Sequence, residues 1–370
     1  MREGAGSRRA LALRHGQGAT AAWRRPQRRV EEGGGGDREV VSRGRLAPVK
    51  KRIFFICGSM NQTTQMHQIS EHLSEYEHSF SPYYCDGPLE FLRRLGLIQF
   101  TIAGNKLAGR CRSYLQNHGL PIDYQGTNGP YDLVLTGSDL FLPKNIRANT
   151  IVLVQEGITD PESGVFHLVK RLRFLPLWLA GTATTGLSDA YRAFCVASDG
   201  YRDFFIRKGV RPEKIVVTGI PNFDDCRRYC RNDFPHRHYV LACTSPLREI
   251  FRREDRTAFI RRAVELAGRR RLLFKLHPNE NVDRATREIQ RHAPGAMVFS
   301  TGSAEEMIAN CDVLITRFSS TAFVGLALGK ETYSDFDMDE LRRLMPAQNR
   351  SAALNIAHVC RRLLDAAPAR

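Results

Sequence analysis

The chain of 370 residues contains no run of 18 consecutive apolar residues. That leaves no candidate for a membrane-spanning helix. Its longest apolar region, Phe174 to Leu187, is too short and is broken by Pro176 and two glycines. No Cys-x-x-Cys occurs among the nine cysteines. Cys226 and Cys230 stand four apart, with no second pair of ligands to complete a zinc site. An odd number of thiols without an apolar signal segment reads as reduced cysteine in a cytoplasmic protein. The first glycine turn, Gly58 to Thr64, lacks Gly-x-Gly-x-x-Gly and is not a P-loop.

Charge is plentiful but uneven. Net charge is +16, and residues 1–52 hold 14 Lys/Arg against 5 Asp/Glu. That segment is rich in Arg and Gly, with no apolar periodicity, and cannot bury enough surface to offset its ordering entropy. A basic arm suits nucleic acid or an anionic membrane; composition alone reads as a disordered tail over 1–51. No nucleic-acid partner is expected.

From residue 52 the text alternates between buried-strand and helix patterns. Ile53–Cys57, Leu133–Thr136, Ile151–Val154, Phe194–Ala197 and Ile215–Val217 are short β-branched or aromatic runs, as expected of parallel strands covered on both faces. The helices expected between them include 65–76 and 198–208. A polar stretch near 227–237 reads as a linker. A second series follows, with strands at 239–243, 272–276, 297–299 and 312–316 and helices at 252–268, 283–292, 303–310 and 321–328. The expected fold class is α/β, two Rossmann-like doubly wound domains over 52–235 and 236–350, with a closing helix over 351–370.

Candidate site residues sit at strand exits, where open α/β sheets bind ligands. The run Cys311 to Lys330 goes from strand to hydroxyls (Thr316, Ser319, Ser320, Thr321) to helix, which offers free N–H groups and a dipole end to a phosphate. His277, stopped by Pro278 and followed by Asn279, ends another strand and could donate to the same phosphate. Thr244 and Ser245 close a third strand. In the first half Glu156 follows the strand at 151–154, where desolvation would raise its pKa toward that of a general base. Asp160 and Glu162 are expected to cap the next helix. Gly58, Asn61, Thr63 and Gln65 form a turn suited to neutral hydrogen bonds with a sugar. Arg252-Arg253 and Arg261-Arg262 are expected on one helix, and the apolar 174–187 region as a buried helix pair, with a peripheral membrane contact as the minority reading of both.

The runs KLHPNE and DVLITRFSSTAFVGLALGK resemble the C-terminal half of GT-B-fold glycosyltransferases. The similarity is to capsule and teichoic-acid polymerases of the CDP-glycerol glycerophosphotransferase type and to non-hydrolysing UDP-GlcNAc 2-epimerases. The segment Lys208 to Asp224 fits the same groups, and the resemblance spans roughly residues 53–350. It implies a two-domain cleft enzyme acting in polysaccharide synthesis, peripheral to the inner face of a cell membrane. A group would pass from a nucleotide-activated sugar or polyol phosphate to a glycan or lipid-linked acceptor. His277, Ser319 and Ser320 match residues that hold the donor phosphates. Glu156 resembles the cleft Glu of the epimerases. Arg317 stands where an Asp often follows Thr, and Gly325 where a ribose-binding Glu often stands. No Asp-x-Asp pair stands in a plausible donor site, so neither metal nor cofactor is expected. Two other readings stay open: a sugar-nucleotide 2-epimerase, and a non-catalytic nucleotide-sugar or glycan binder.

Overall fold

A computed structural model of the chain describes residues 50–96, 104–172, 174–250 and 253–366. The basic tail expected over 1–51 lies almost wholly outside the described residues. Within them, eleven strands form two sheets in which every pairing is parallel.

The first half runs β1 (Arg52–Cys57), α1 (Met60–Glu71), β2 (Glu77–Pro82), α2 (Gly87–Arg94), α3 (Asn105–Asn117), β3 (Leu133–Thr136), β4 (Thr150–Val154), α4 (Gly164–Arg171), β5 (Ala193–Val196), α5 (Asp199–Lys208) and β6 (Ile215–Val217). Its strand order is β2-β1-β3-β4-β5-β6. The second half runs β7 (Val240–Cys243), α6 (Arg256–Ala267), β8 (Leu272–Lys275), α7 (Val282–His292), β9 (Met297–Phe299), α8 (Ala304–Asn310), β10 (Val313–Ile315), α9 (Thr321–Ala327), β11 (Glu331–Tyr333) and α10 (Met338–Leu344). Its order is β11-β10-β7-β8-β9. A last helix, α11, spans Ala352–Ala366.

Both expected α/β halves are thus present. Strand order reverses between β1 and β3 in one sheet and between β7 and β10 in the other. At such switch points the connections leave to opposite sides and open a crevice beyond the carboxyl ends of the strands.

Burial on both faces explains the apolar strands. One face of the first sheet packs Phe55, Leu135 and Val152 against Met66 and Ile69 of α1, Cys111 and Leu115 of α3, and Ile356, Cys360 and Leu364 of α11. Its other face belongs to a core that continues into the second half through Tyr201, Phe223, Leu314 and Phe323. The closing helix expected at 351–370 therefore belongs to the core of the first half. A fully buried Ile or Leu contributes about 1.5–3 kcal/mol, so α11 is a substantial part of that core.

Other expectations shift. Helix α1 starts at Met60, five residues before the expected Gln65, because Ser59 caps it by accepting from the Gln62 N–H at 3.1 Å. Helix α6 starts at Arg256, capped by Asp255, so Arg253 is not on it; Arg252 lies outside the described residues. The 174–187 region is a kinked 3-10 segment, Leu177–Thr184, rather than a buried helix pair. Phe174 there is 80% exposed, and Trp178 and Leu179 are also exposed.

Candidate active site

A cleft of about 990 Å³ opens at the switch point of the first sheet. Its floor is built from Asn61 and Gln62 after β1, Gly137 and Ser138 after β3, and Gln155 to Gly157 after β4. Phe318 and Ser320 of the second half complete it.

Glu156 is the charged group of the floor. The Ser59 hydroxyl donates to its Oε1, and Gln62 Nε2 donates to its Oε2 at 2.6 Å. Both donors are neutral, and no ion pair to Glu156 occurs among the described residues. Burial pushes its pKa above the usual carboxylate value, while the two hydrogen bonds pull the other way. One turn therefore does two jobs. Ser59 caps α1 with its oxygen and holds Glu156 with its proton, while Gln62, three residues on, sends its carboxamide to the same carboxylate. Ser59-x-x-Gln62 has the form of a capping box, and that was the signal in the sequence.

Neighbouring polar groups fix the backbone that carries Glu156. Gln155 is buried; its Nε2 donates to Gly157 O at 2.9 Å, and its Oε1 accepts from Ala197 N–H at 2.9 Å. Gln65, expected to bind an acceptor, donates from Nε2 to Gln155 O at 2.8 Å and is buried. Thr63, also expected there, is fully buried, and its hydroxyl donates to Ser59 O at 2.8 Å. Both lie on the inward face of α1, so these two assignments are corrected. Gly58 is buried and Asn61 is exposed at the cleft. Asp160 and Glu162 do not cap α4, whose N-cap is Ser163; both line the cleft.

The second half presents a different environment. Thr244, Ser245, Thr316 and Arg317 flank its switch point, and a web of charges already engages Thr244, the Ser245 carbonyl and Arg317. Glu280 accepts from the Thr244 hydroxyl, from Arg256 Nη2 and, at 2.8 Å, from the His277 N–H. Arg256 also pairs with buried Glu254 at 3.0 Å and donates to Ser245 O at 3.0 Å. Arg317 pairs with Asp335 at 2.7 Å, with Glu254 3.8 Å away. Thr244, expected among the donor-binding residues, thus has its hydroxyl committed to Glu280. The buried Ser245 hydroxyl has no partner among the described residues.

His277 accepts at Nδ1 from the Asn279 N–H at 3.1 Å. Its neutral ring therefore carries its proton on Nε2. Burial, with Lys275 and Arg110 adding to it, pushes its pKa down to about 4. Arg110, on α3 of the first half, donates to Pro278 O at 3.3 Å and to Asn279 Oδ1 at 3.4 Å. No sequence feature singled out Arg110, because the contact joins residues 168 apart in the chain.

The hydroxyl turn is compact. Ser319 Oγ lies 2.9 Å from Thr321 Oγ1, and Thr316, buried, lies 3.5 Å from the same atom. Helix α9 has only seven residues and no side-chain cap bond from Ser320, and the Thr321 N–H at its start already donates to Ser319 Oγ at 3.3 Å. Of this turn, Ser320 lines the cleft beside Glu156, while Thr244, Ser245, His277 and Asn279 do not. Gly325 has a packing cause. A methyl there would meet Leu314 Cδ2 at 2.7 Å and Thr332 Oγ1 at 2.6 Å, so α9 lies close on the sheet.

No protein-family model matches the chain, and no curated protein does. Solved structures do. A UDP-GlcNAc 2-epimerase from Methanocaldococcus jannaschii is 10% identical with a TM-score of 0.49, covering 84% of this chain and 99% of its own. Another UDP-N-acetylglucosamine 2-epimerase is 14% identical at TM-score 0.45, with coverages of 86% and 88%. The wall teichoic acid polymerase TagF is 11% identical at TM-score 0.46, covering 85% and 89%.

Proposed function

We propose that the protein is a transferase that moves a sugar or polyol phosphate from a nucleotide-activated donor to a hydroxyl of a glycan or lipid-linked acceptor. The observation that carries this reading is Glu156: a carboxylate held by two neutral donors at the floor of a large cleft, with its pKa raised by burial. Such a group takes a proton from an attacking hydroxyl. As the acceptor oxygen bonds to the donor, the bond to the nucleotide breaks and its phosphate keeps the electron pair. His277 Nε2–H, Arg110 and the Ser319/Ser320 turn are the donors assigned to that charge. The reading calls on no cofactor.

A second, binding-only reading has its own support. The Thr244 hydroxyl and His277 N–H, two of the groups expected to hold a donor phosphate, are already bonded to Glu280.

One experiment separates the two. A thermal-shift screen against UDP-, GDP-, CDP- and CMP-linked donors finds the ligand, since saturation at about 100 times Kd adds about 2.7 kcal/mol. Donor consumption with a hydroxyl acceptor is then measured for the parent and Glu156→Gln. Transfer requires turnover that Glu156→Gln loses; stabilisation without any turnover favours the binder.

A further inference from the structure

Fourteen large apolar side chains stand exposed among the described residues, and seven of them fall in two short stretches beside the cleft. Phe91, 62% exposed, and Leu95 come from α2 and the residue that ends it. Val165 and Leu168 come from α4. Phe174, Trp178 and Leu179 come from the segment whose Ala180 and Ala183 pack beneath α4 on Phe166 and Val169. Val165, Trp178 and Leu179 also line the cleft, with Leu89 and Leu92 from α2. The apolar wall therefore runs from inside the cavity out to the surface. A contiguous exposed apolar patch marks an interaction site.

Two features identify the occupant. Helix α4 exposes Val165 and Leu168 and ends in exposed Lys170 and Arg171. Helix α2 ends in Arg93 and Arg94, and the Arg94 side chain is 74% exposed even though it reaches Glu90. Apolar side chains edged by cations, with a tryptophan at the boundary, suit the headgroup layer of an anionic bilayer. The carboxylates nearby are Glu90, which pairs with Arg93 at 2.6 Å and Arg94 at 2.9 Å so that Lys170 and Arg171 carry the free positive charge of this face among the described residues, and Asp160 and Glu162, which line the cleft.

We propose that this face docks on an anionic lipid bilayer. Phe91, Leu168, Phe174 and Trp178 enter the acyl boundary, and Lys170 and Arg171 meet the headgroups. The mouth of the cleft then opens onto the membrane. An amphiphilic molecule can enter with its apolar chain along Leu92 and Trp178 and its polar head toward Glu156. The docking surface is independent of the reaction assigned to the floor.

The full chain carrying Trp23→Phe keeps Trp178 as its one tryptophan. It is mixed with phosphatidylglycerol/phosphatidylcholine vesicles, with and without bromine on the acyl chains. Trp178 emission should shift to the blue and be quenched by the brominated lipid. In the same background, Phe91→Asp/Leu168→Asp/Phe174→Asp should lose the quenching and at least about a hundredfold in vesicle affinity, because each apolar side chain withheld costs about tenfold or more. These side chains are exposed, so the melting temperature should not change. Lys170→Glu/Arg171→Glu should weaken binding to these vesicles at low salt. Vesicle sedimentation without quenching would assign binding to the basic N-terminal segment and overturn the proposal. So would a dimer that the triple variant converts to monomer, since a second copy would then own the face.

Discussion

Gly137 and Gln62 touch so closely that a methyl on Gly137 would fall 2.7 Å from Gln62 Cγ and 2.8 Å from its Cδ. The exit of β3 thus sets where the Gln62 carboxamide stands, and with it one of the two bonds that hold Glu156. Gly137→Ala should displace Gln62 and act like Gln62→Leu. Both remove a donor from the ionised carboxylate, so both raise the pKa of Glu156. The acid limb of the pH–rate profile should move up by about one to two units, since a bond to a charged group is worth about 1.5–3 kcal/mol. An unmoved limb in both variants would remove Glu156 from the rate-limiting ionisation.

Glu156 has a raised folded pKa, so between its unfolded and folded values the native state binds more protons. Its ionisation costs stability that is absent at low pH and appears as pH rises through the folded value. Glu156→Gln should therefore raise the melting temperature at neutral pH and change it little near pH ~4. Turnover should fall by about 10²–10⁴ with donor affinity preserved.

Lys208 is almost fully buried, with its Nζ 4.6 Å from the centre of the Phe204 ring and without a hydrogen-bond partner among the described residues. Burial pushes its pKa down to about 8. Between that value and the ordinary lysine range the unfolded chain binds more protons, so stability rises with pH there. Below it both states are charged and the cost is complete. Lys208→Met should gain as much as about 3 kcal/mol at neutral pH in urea denaturation, and should abolish the rise at alkaline pH.

His277, with its pKa near 4, stays neutral well above pH 5. Donor affinity measured by calorimetry should show no inflection near the ordinary histidine value of about 6.5. Arg110→Ala and His277→Ala should each weaken the donor about ten- to a hundredfold, the worth of a hydrogen bond to a charged phosphate. Normal affinity in both variants would move the donor phosphates away from the exit of β8.

The sequence carried the sheets well because strands covered on both faces leave an unmistakable apolar run. Strand β2, Glu77–Pro82, was not legible: its first half is polar, and its pairing with β1 supplies the order. The position of Glu156 at a strand exit could be read because it follows the apolar run of β4. Thr63 and Gln65 were misread because a turn reveals polarity but not which face of the helix turns inward. Glu280 and Arg256 went unseen as partners of Thr244 and of Ser245 O, since their meeting depends on β7 and β8 lying side by side. Arg110 depends on two separate halves and leaves no local pattern.

Helix α11 has one more consequence, for the growing chain. The core between β7, β8, β10 and helices α6 and α7 draws only on residues 240–333. The core on the outer face of the first sheet needs Ile356, Cys360 and Leu364. On the ribosome the later half can close first. The earlier half waits with the outer side of α1 only partly covered until residue 364 has emerged, an interval in which exposed apolar surface favours misassembly.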